Sequence, residues 1–150
     1  MVLETNSWGN DQGDTAGGLE LVVTAPTASH GLGSGKIEGG ATFLLALELP
    51  GNFDLGINNG VGSDANDGSG YDADSVNSVS VSHPIAGPLS GYVELFSSVP
   101  TRSSGDWEGT VDVGALLTIG KKFQLDAGLD MGVAHGADGL QSFLGASYRF

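Results

Sequence analysis

The sequence predicts an all-β protein, an up-and-down antiparallel β-barrel of the kind that crosses a membrane with strands. Two observations lead there. Apolar and polar residues alternate with a period of two through most of the chain, which suits strands with one oily and one polar face. The connections also alternate, short then long, as in outer-membrane barrels with tight periplasmic turns and longer extracellular loops. About eight strands are expected, counted back from Phe150 to a first strand near Gly17. Residues 1–16 are left as an amino-terminal tail or extra strand, and 17–150 as the barrel.

Weak alternation marks the first strands, at Leu19 to Val23 and Ile37 to Leu49. Phe53, Leu55 and Ile57 then alternate with Asp54, Gly56 and Asn58. Fainter copies follow at Val79 to Val81 and at Leu89, Gly91, Val93 and Leu95. The pattern is plainest in the next two strands. In "DWEGTVDVGALLTIG", Trp107, Val111, Val113, Ala115, Leu117 and Ile119 share one phase, and Glu108, Thr110, Asp112 and Gly114 take the other. In "FQLDAGLDMGV", Phe123, Leu125, Ala127, Leu129, Met131 and Val133 oppose Gln124, Asp126, Gly128, Asp130 and Gly132. The last strand sets Leu144, Ala146, Tyr148 and Phe150 outward and Phe143, Gly145, Ser147 and Arg149 inward. Those four outward residues form the expected assembly signal, since barrel-assembly machinery reads an aromatic carboxy-terminal residue with apolar residues at alternate positions before it.

The short connections are "LPGN", "HPIAGP" and "IGKK"; the long ones are "APTASHGLGSGK", "NNGVGSDANDGSGYDAD", "SSVPTRSSGDWE" and "AHGADG". Phe53, Phe123, Tyr148 and Phe150 fall near the short-turn ends and Tyr71 and Trp107 near the loop ends, as two interfacial girdles require. A soluble antiparallel sandwich also alternates, but it gains little from an exposed terminal Phe150.

Composition agrees. The chain has 150 residues, 26 glycines and 15% charged residues, which favours strands and turns over helices. With 5 Lys plus Arg against 18 Asp plus Glu, the formal charge is −13, which repels nucleic acid. With no cysteine, disulfides and thiolate metal sites are excluded. The longest apolar run, Ala41 to Leu49, is broken by Thr42 and Glu48, too short for a membrane helix. The opening "MVLETNSWGNDQ" has neither a basic region nor an apolar core, so a mature or trimmed chain is expected.

The segment from about Gly31 to Phe150 carries "GKIEGGATFLLALELPG", "NSVSVSHPIAGPLSGYVELFSS", "GDWEGTVDVGALL", "QLDAGLDMGV" and "SFLGASYRF". Through these blocks it resembles the bacterial outer-membrane meta-pathway phenol-degradation transporters. Members are generally longer, so the chain resembles the carboxy-terminal part of one, or a shortened relative. The resemblance implies an outer-membrane β-barrel and uptake of aromatic or other hydrophobic compounds. It supplies no catalytic residues, and fold alone does not give function.

The phases define an acidic lumen. Glu20, Glu38, Glu48, Asp54, Glu94, Asp112, Asp126 and Asp130 point inward with Asn58 and Tyr92, against the cations Lys36 and Arg149. Carboxylates there must be paired, hydrated or protonated. A wet, acidic passage favours cations or polar neutral solutes over anions; a plugged barrel with a hydrated polar core is the other reading. The expected partners are a lipid bilayer, barrel-assembly machinery and a small-molecule solute. Copies are also able to associate through strand edges if the sheet stays unclosed.

Two further sets carry residue types with recognisable chemistry. Asp64, Asn66, Asp67, Asp72 and Asp74 supply oxygen ligands suited to calcium, but the spacing is not an EF-hand, and a solvated loop explains it as well. His135, Asp138 and Ser142 contain the residue types of a hydrolytic set, with His30 and His83 the remaining histidines. Nothing in the sequence holds them in place, so no enzymatic activity and no obligatory cofactor is expected.

Overall fold

The computed structural model describes residues 2–9, 15–26, 35–65, 70–101, 106–134, 136–148 and 150, with the side chains of 2–9 and of Asp64 left out of the description. Nine strands form one sheet in sequence order: β1 Val2–Gly9, β2 Thr15–Thr24, β3 Glu38–Leu49, β4 Phe53–Ala65, β5 Tyr71–Ala86, β6 Leu89–Pro100, β7 Glu108–Ile119, β8 Phe123–Gly132 and β9 Leu140–Tyr148. Every neighbouring pair is antiparallel. The fold is all-β and up-and-down, and the sheet curls into a half-barrel.

The eight expected strands are β2 to β9. Val2–Gly9 adds β1 to the free edge of β2, with a register shift between Glu4 and Asn6. Among the described residues, β9 forms no ladder with β1 or β2.

Chemistry fixes the short turns. Leu49 pairs with Phe53, and Gly51 and Asn52 between them stand at φ 86° and 61°, where Gly and Asn meet the least resistance. Ala86 pairs with Leu89 around Gly87, at φ 54°, and Pro88; a positive φ followed by proline's fixed negative one is the pattern of a type II′ hairpin. Gly120, at φ 66°, opens the third turn.

Two connections are shorter than the sequence suggests. "HPIAGP" is mostly strand, since β5 runs 16 residues to Ala86. Pro84 is accommodated there next to a register shift before Ala86, the kind of place where a missing N–H is tolerated. "NNGVGSDANDGSGYDAD" is also largely ladder, with pairing as far as Ala65↔Tyr71. Its Asn and Gly residues signal a turn locally, and the cross-strand hydrogen bonds override that preference.

The alternation is visible in exposure. Along β8 each outward residue from Leu125 to Met131 is exposed and each inward one from Gln124 to Gly132 is partly shielded. Among the described residues no apolar side chain is buried, and the buried side chains with polar atoms are Ser78 and Asp112. The oily face of the sheet is the outside.

Candidate functional site

The ladders set the inward residues in rows across the strands. One row runs Ser80, Glu94, Asp112, Asp130, Gln141 over β5 to β9. Directly opposed side chains on antiparallel strands stand about 4.5–5.5 Å apart at Cβ, so Glu94, Asp112 and Asp130 form an unbroken line of three carboxylates. Asp112 in the middle is 8% exposed, and its Oδ1 has no hydrogen-bond partner.

The adjoining row toward the short turns runs Ser82, Tyr92, Gly114, Gly128, Phe143. Two aromatic rings fold over two glycines here. A Cβ on Gly114 would stand 2.5 Å from the Tyr92 hydroxyl, and one on Gly128 2.5 Å from Cζ of Phe143. On the loop side the next row holds Ser78, Phe96 and Thr110. Asp126 lies one row nearer the turns, with its carboxylate over Gly145.

These rows line a cavity of about 720 Å³ against β6 to β9. The segment after β8 folds toward its loop-side mouth. Gly132 donates to the carbonyl of Gly139 at 3.0 Å, Gly136 to that of Trp107 at 3.2 Å, and Gln141 Nε2 to Asp138 Oδ2 at 2.9 Å. Gly136, Ala137 and Asp138 thereby join the cavity wall.

No family model, curated protein or solved structure matches the chain.

Apart from Lys36, the expected lumen residues with described side chains lie on the inward face, but they are not one cluster. Tyr92, Glu94, Asp112, Asp126 and Asp130 share the cavity. Glu20 sits in β2, in line with Thr42 and Gly60, and Asn58 donates to Ser78 Oγ at 2.9 Å. Glu38 lies at the loop end, where its Oε1 accepts from the Ala65 N–H at 3.0 Å. Glu48 and Asp54 pair at the turn end, where Ser82 donates to Asp54 at 3.5 Å. Arg149 lies outside the described residues. Lys36 is not in the lumen: its ammonium stands 6.0 Å from the Tyr71 ring at the loop rim, where a flexible stem reaches an aromatic face. Among the described residues, the inward face of the strands carries no Lys or Arg.

Asn66 and Asp67 of the calcium set lie outside the described residues, as does the Asp64 side chain. Asp72 and Asp74 share the inward face of β5, with Asp72 opposite Asp64 in register. No group of three or more ligating side chains able to hold a metal occurs among the described residues. Of the hydrolytic set, His135 lies outside the described residues, Asp138 is held by Gln141, and Ser142 faces out opposite Leu129; His30 also lies outside the described residues. His83 is not a turn residue: it lies on β5, its ring 4.4 Å from that of Phe53.

The aromatic residues expected near strand ends lie there. Phe53, Tyr71 and Phe123 open their strands, and Tyr148 packs edge-on to Phe150 with centroids 5.3 Å apart. Leu144, Ala146 and Tyr148 share the outward face of β9. Sequence reasoning missed Phe96, Ser78 and Gln141 as site residues. Their inward phase is legible from neighbours two positions away, but their shared rows depend on register between strands.

Proposed function

We propose that this chain is an outer-membrane β-barrel channel or transporter that passes small solutes, aromatic or hydrophobic ones included, through an acidic lumen. The reading rests on one observation: burial is inside out. Large apolar residues such as Val93, Leu95 and Leu129 are 50%, 58% and 44% exposed, while Ser78 and Asp112 are shielded. In water such a surface drives aggregation; in hydrocarbon it is the favourable one, and a sheet closed on itself or completed by further copies would keep its backbone groups paired there. The lumen side needs hydration, and a row of carboxylates with no Lys or Arg on the inward strand face among the described residues favours cationic or neutral solutes. The aromatic part of the proposal comes from the resemblance to the phenol-degradation transporters.

The test is to refold the chain into detergent and lipid bilayers and compare heated with unheated gel migration while recording conductance. Heat-modifiable migration with stepwise, cation-favouring conductance is the expected result. A chain that stays monomeric and soluble without detergent would refute the membrane reading, and anion preference the acidic-lumen reading.

The outer edges of β1 and β9, which carry no ladder among the described residues, favour a second reading, a non-conducting structural or self-assembling module of the outer membrane. Heat-modifiability without conductance, with copies cross-linking along a strand edge, would select it.

A further inference from the structure

The carboxylate row Glu94, Asp112, Asp130 lies between aromatic residues. Tyr92 and Phe143 occupy the row on its turn side and Phe96 the row on its loop side. Because Gly114 and Gly128 have no side chain, the Tyr92 and Phe143 rings cover the backbone there, leaving their other faces to the cavity that all six residues line. Into that wall is set the Asp112 carboxylate, 8% exposed, its Oδ1 with no donor. A shielded carboxylate oxygen needs a donor, and the inward face offers no Lys or Arg among the described residues.

Candidate occupants differ in how they use this combination. A bare divalent ion wants several converging oxygens and gains little from ring faces, and among the described residues no group of ligating side chains is arranged to hold one. An anion is repelled by the carboxylates of the row and, among the described residues, meets no Lys or Arg on the inward face of the strands. An ammonium group brings N–H donors for the carboxylates and a positive charge for the rings, and an attached apolar body covers the remaining ring surface.

We propose that this cavity binds a small organic ammonium ion, an amine with an aromatic or alkyl body, its charge at Asp112 and its neighbours and its body on Tyr92, Phe96 and Phe143. The proposal rests on the reading of this face as a lumen and names the solute class that lumen favours.

The experiment is calorimetric titration of the full chain in detergent micelles with benzylammonium. Benzyl alcohol, benzoate and calcium are titrated in parallel, and conductance is recorded from the same preparation. Saturable benzylammonium binding is expected, with none for benzyl alcohol or benzoate. Asp112→Asn should weaken it by about tenfold or more and Tyr92→Leu by about fivefold, within the range of a lost charge-assisted contact and a lost cation–π contact. Heat-modifiable migration reports whether each variant folds, and Glu94→Gln in the same row replaces Asp112→Asn if that variant does not. Equal binding of benzyl alcohol would overturn the proposal, as would displacement of benzylammonium by a lower concentration of calcium, or an affinity unchanged in the folded variants. Conductance without ammonium binding overturns the proposal and leaves the channel standing; binding without conductance supports the proposal and counts against transport.

Discussion

Adjacent residues on one strand have opposite fates here, and β6 shows it most sharply. Leu95 is 58% exposed on the outward face at mid-strand, and Glu94 beside it stands in the carboxylate row. Leu95→Arg should cost about 2–4 kcal/mol in a bilayer, the range for a cation at the midplane of a barrel's lipid face, measured by urea unfolding in vesicles. Glu94→Gln should leave that stability nearly unchanged and reduce cation preference in reversal-potential recordings. Equal losses in both would mean that the two faces do not see different solvents. The outward face also holds a polar pair, since Asn59 donates to Asn77 and Asn77 lies 3.3 Å from Ser75 Oγ. Asn77→Leu alone should cost about 1–3 kcal/mol, because it leaves an amide without its partner in an apolar medium. The double change Asn59→Leu with Asn77→Leu should recover most of that loss in the same unfolding assay.

At the scale of elements, the joint between β6, β7, β8 and β9 is the feature to perturb. Tyr92 and Phe143 cross Gly114 and Gly128 so closely that any Cβ there would collide. Gly114→Ala should destabilise by about 1–3 kcal/mol, as overpacking does, and adding Tyr92→Ala should make the two changes less than additive in a double-mutant cycle. The turns are the other constrained elements. Gly87→Ala should cost about 1–2 kcal/mol, since φ 54° before Pro88 demands the left-handed region of a residue that resists it. The turn positions were legible in the sequence because Gly, Pro and Asn carry backbone preferences of their own. The ends of β4 and β5 were not, because their Gly, Asn and Asp residues become strand only through the ladder to a neighbour.

For the whole molecule, assembly turns on where the two edges of the sheet find partners. Nine strands in order, with β1 and β9 each paired on one side only among the described residues, predict that the refolded chain, cross-linked through cysteines placed on β1 and β9, will join either within one chain or between chains. Intramolecular bridges would mean closure of the sheet by its own edges. Intermolecular bridges that persist on dilution would mean a lumen shared between copies, and a wider passage past the same carboxylates. The sequence by itself determined the strand period, which residue of each pair faces out, the short turns and the acidic character of the inward face. Those properties are local: they follow from side-chain alternation and from the dihedral preferences of a few residues. Only the tertiary structure decided that Glu94, Asp112 and Asp130 fall in one row, that two rings rest on two glycines beside them, and that the Lys36 ammonium stands at the loop rim near Tyr71. Those facts depend on register, and register comes from cooperative pairing between strands, which no single strand's sequence encodes.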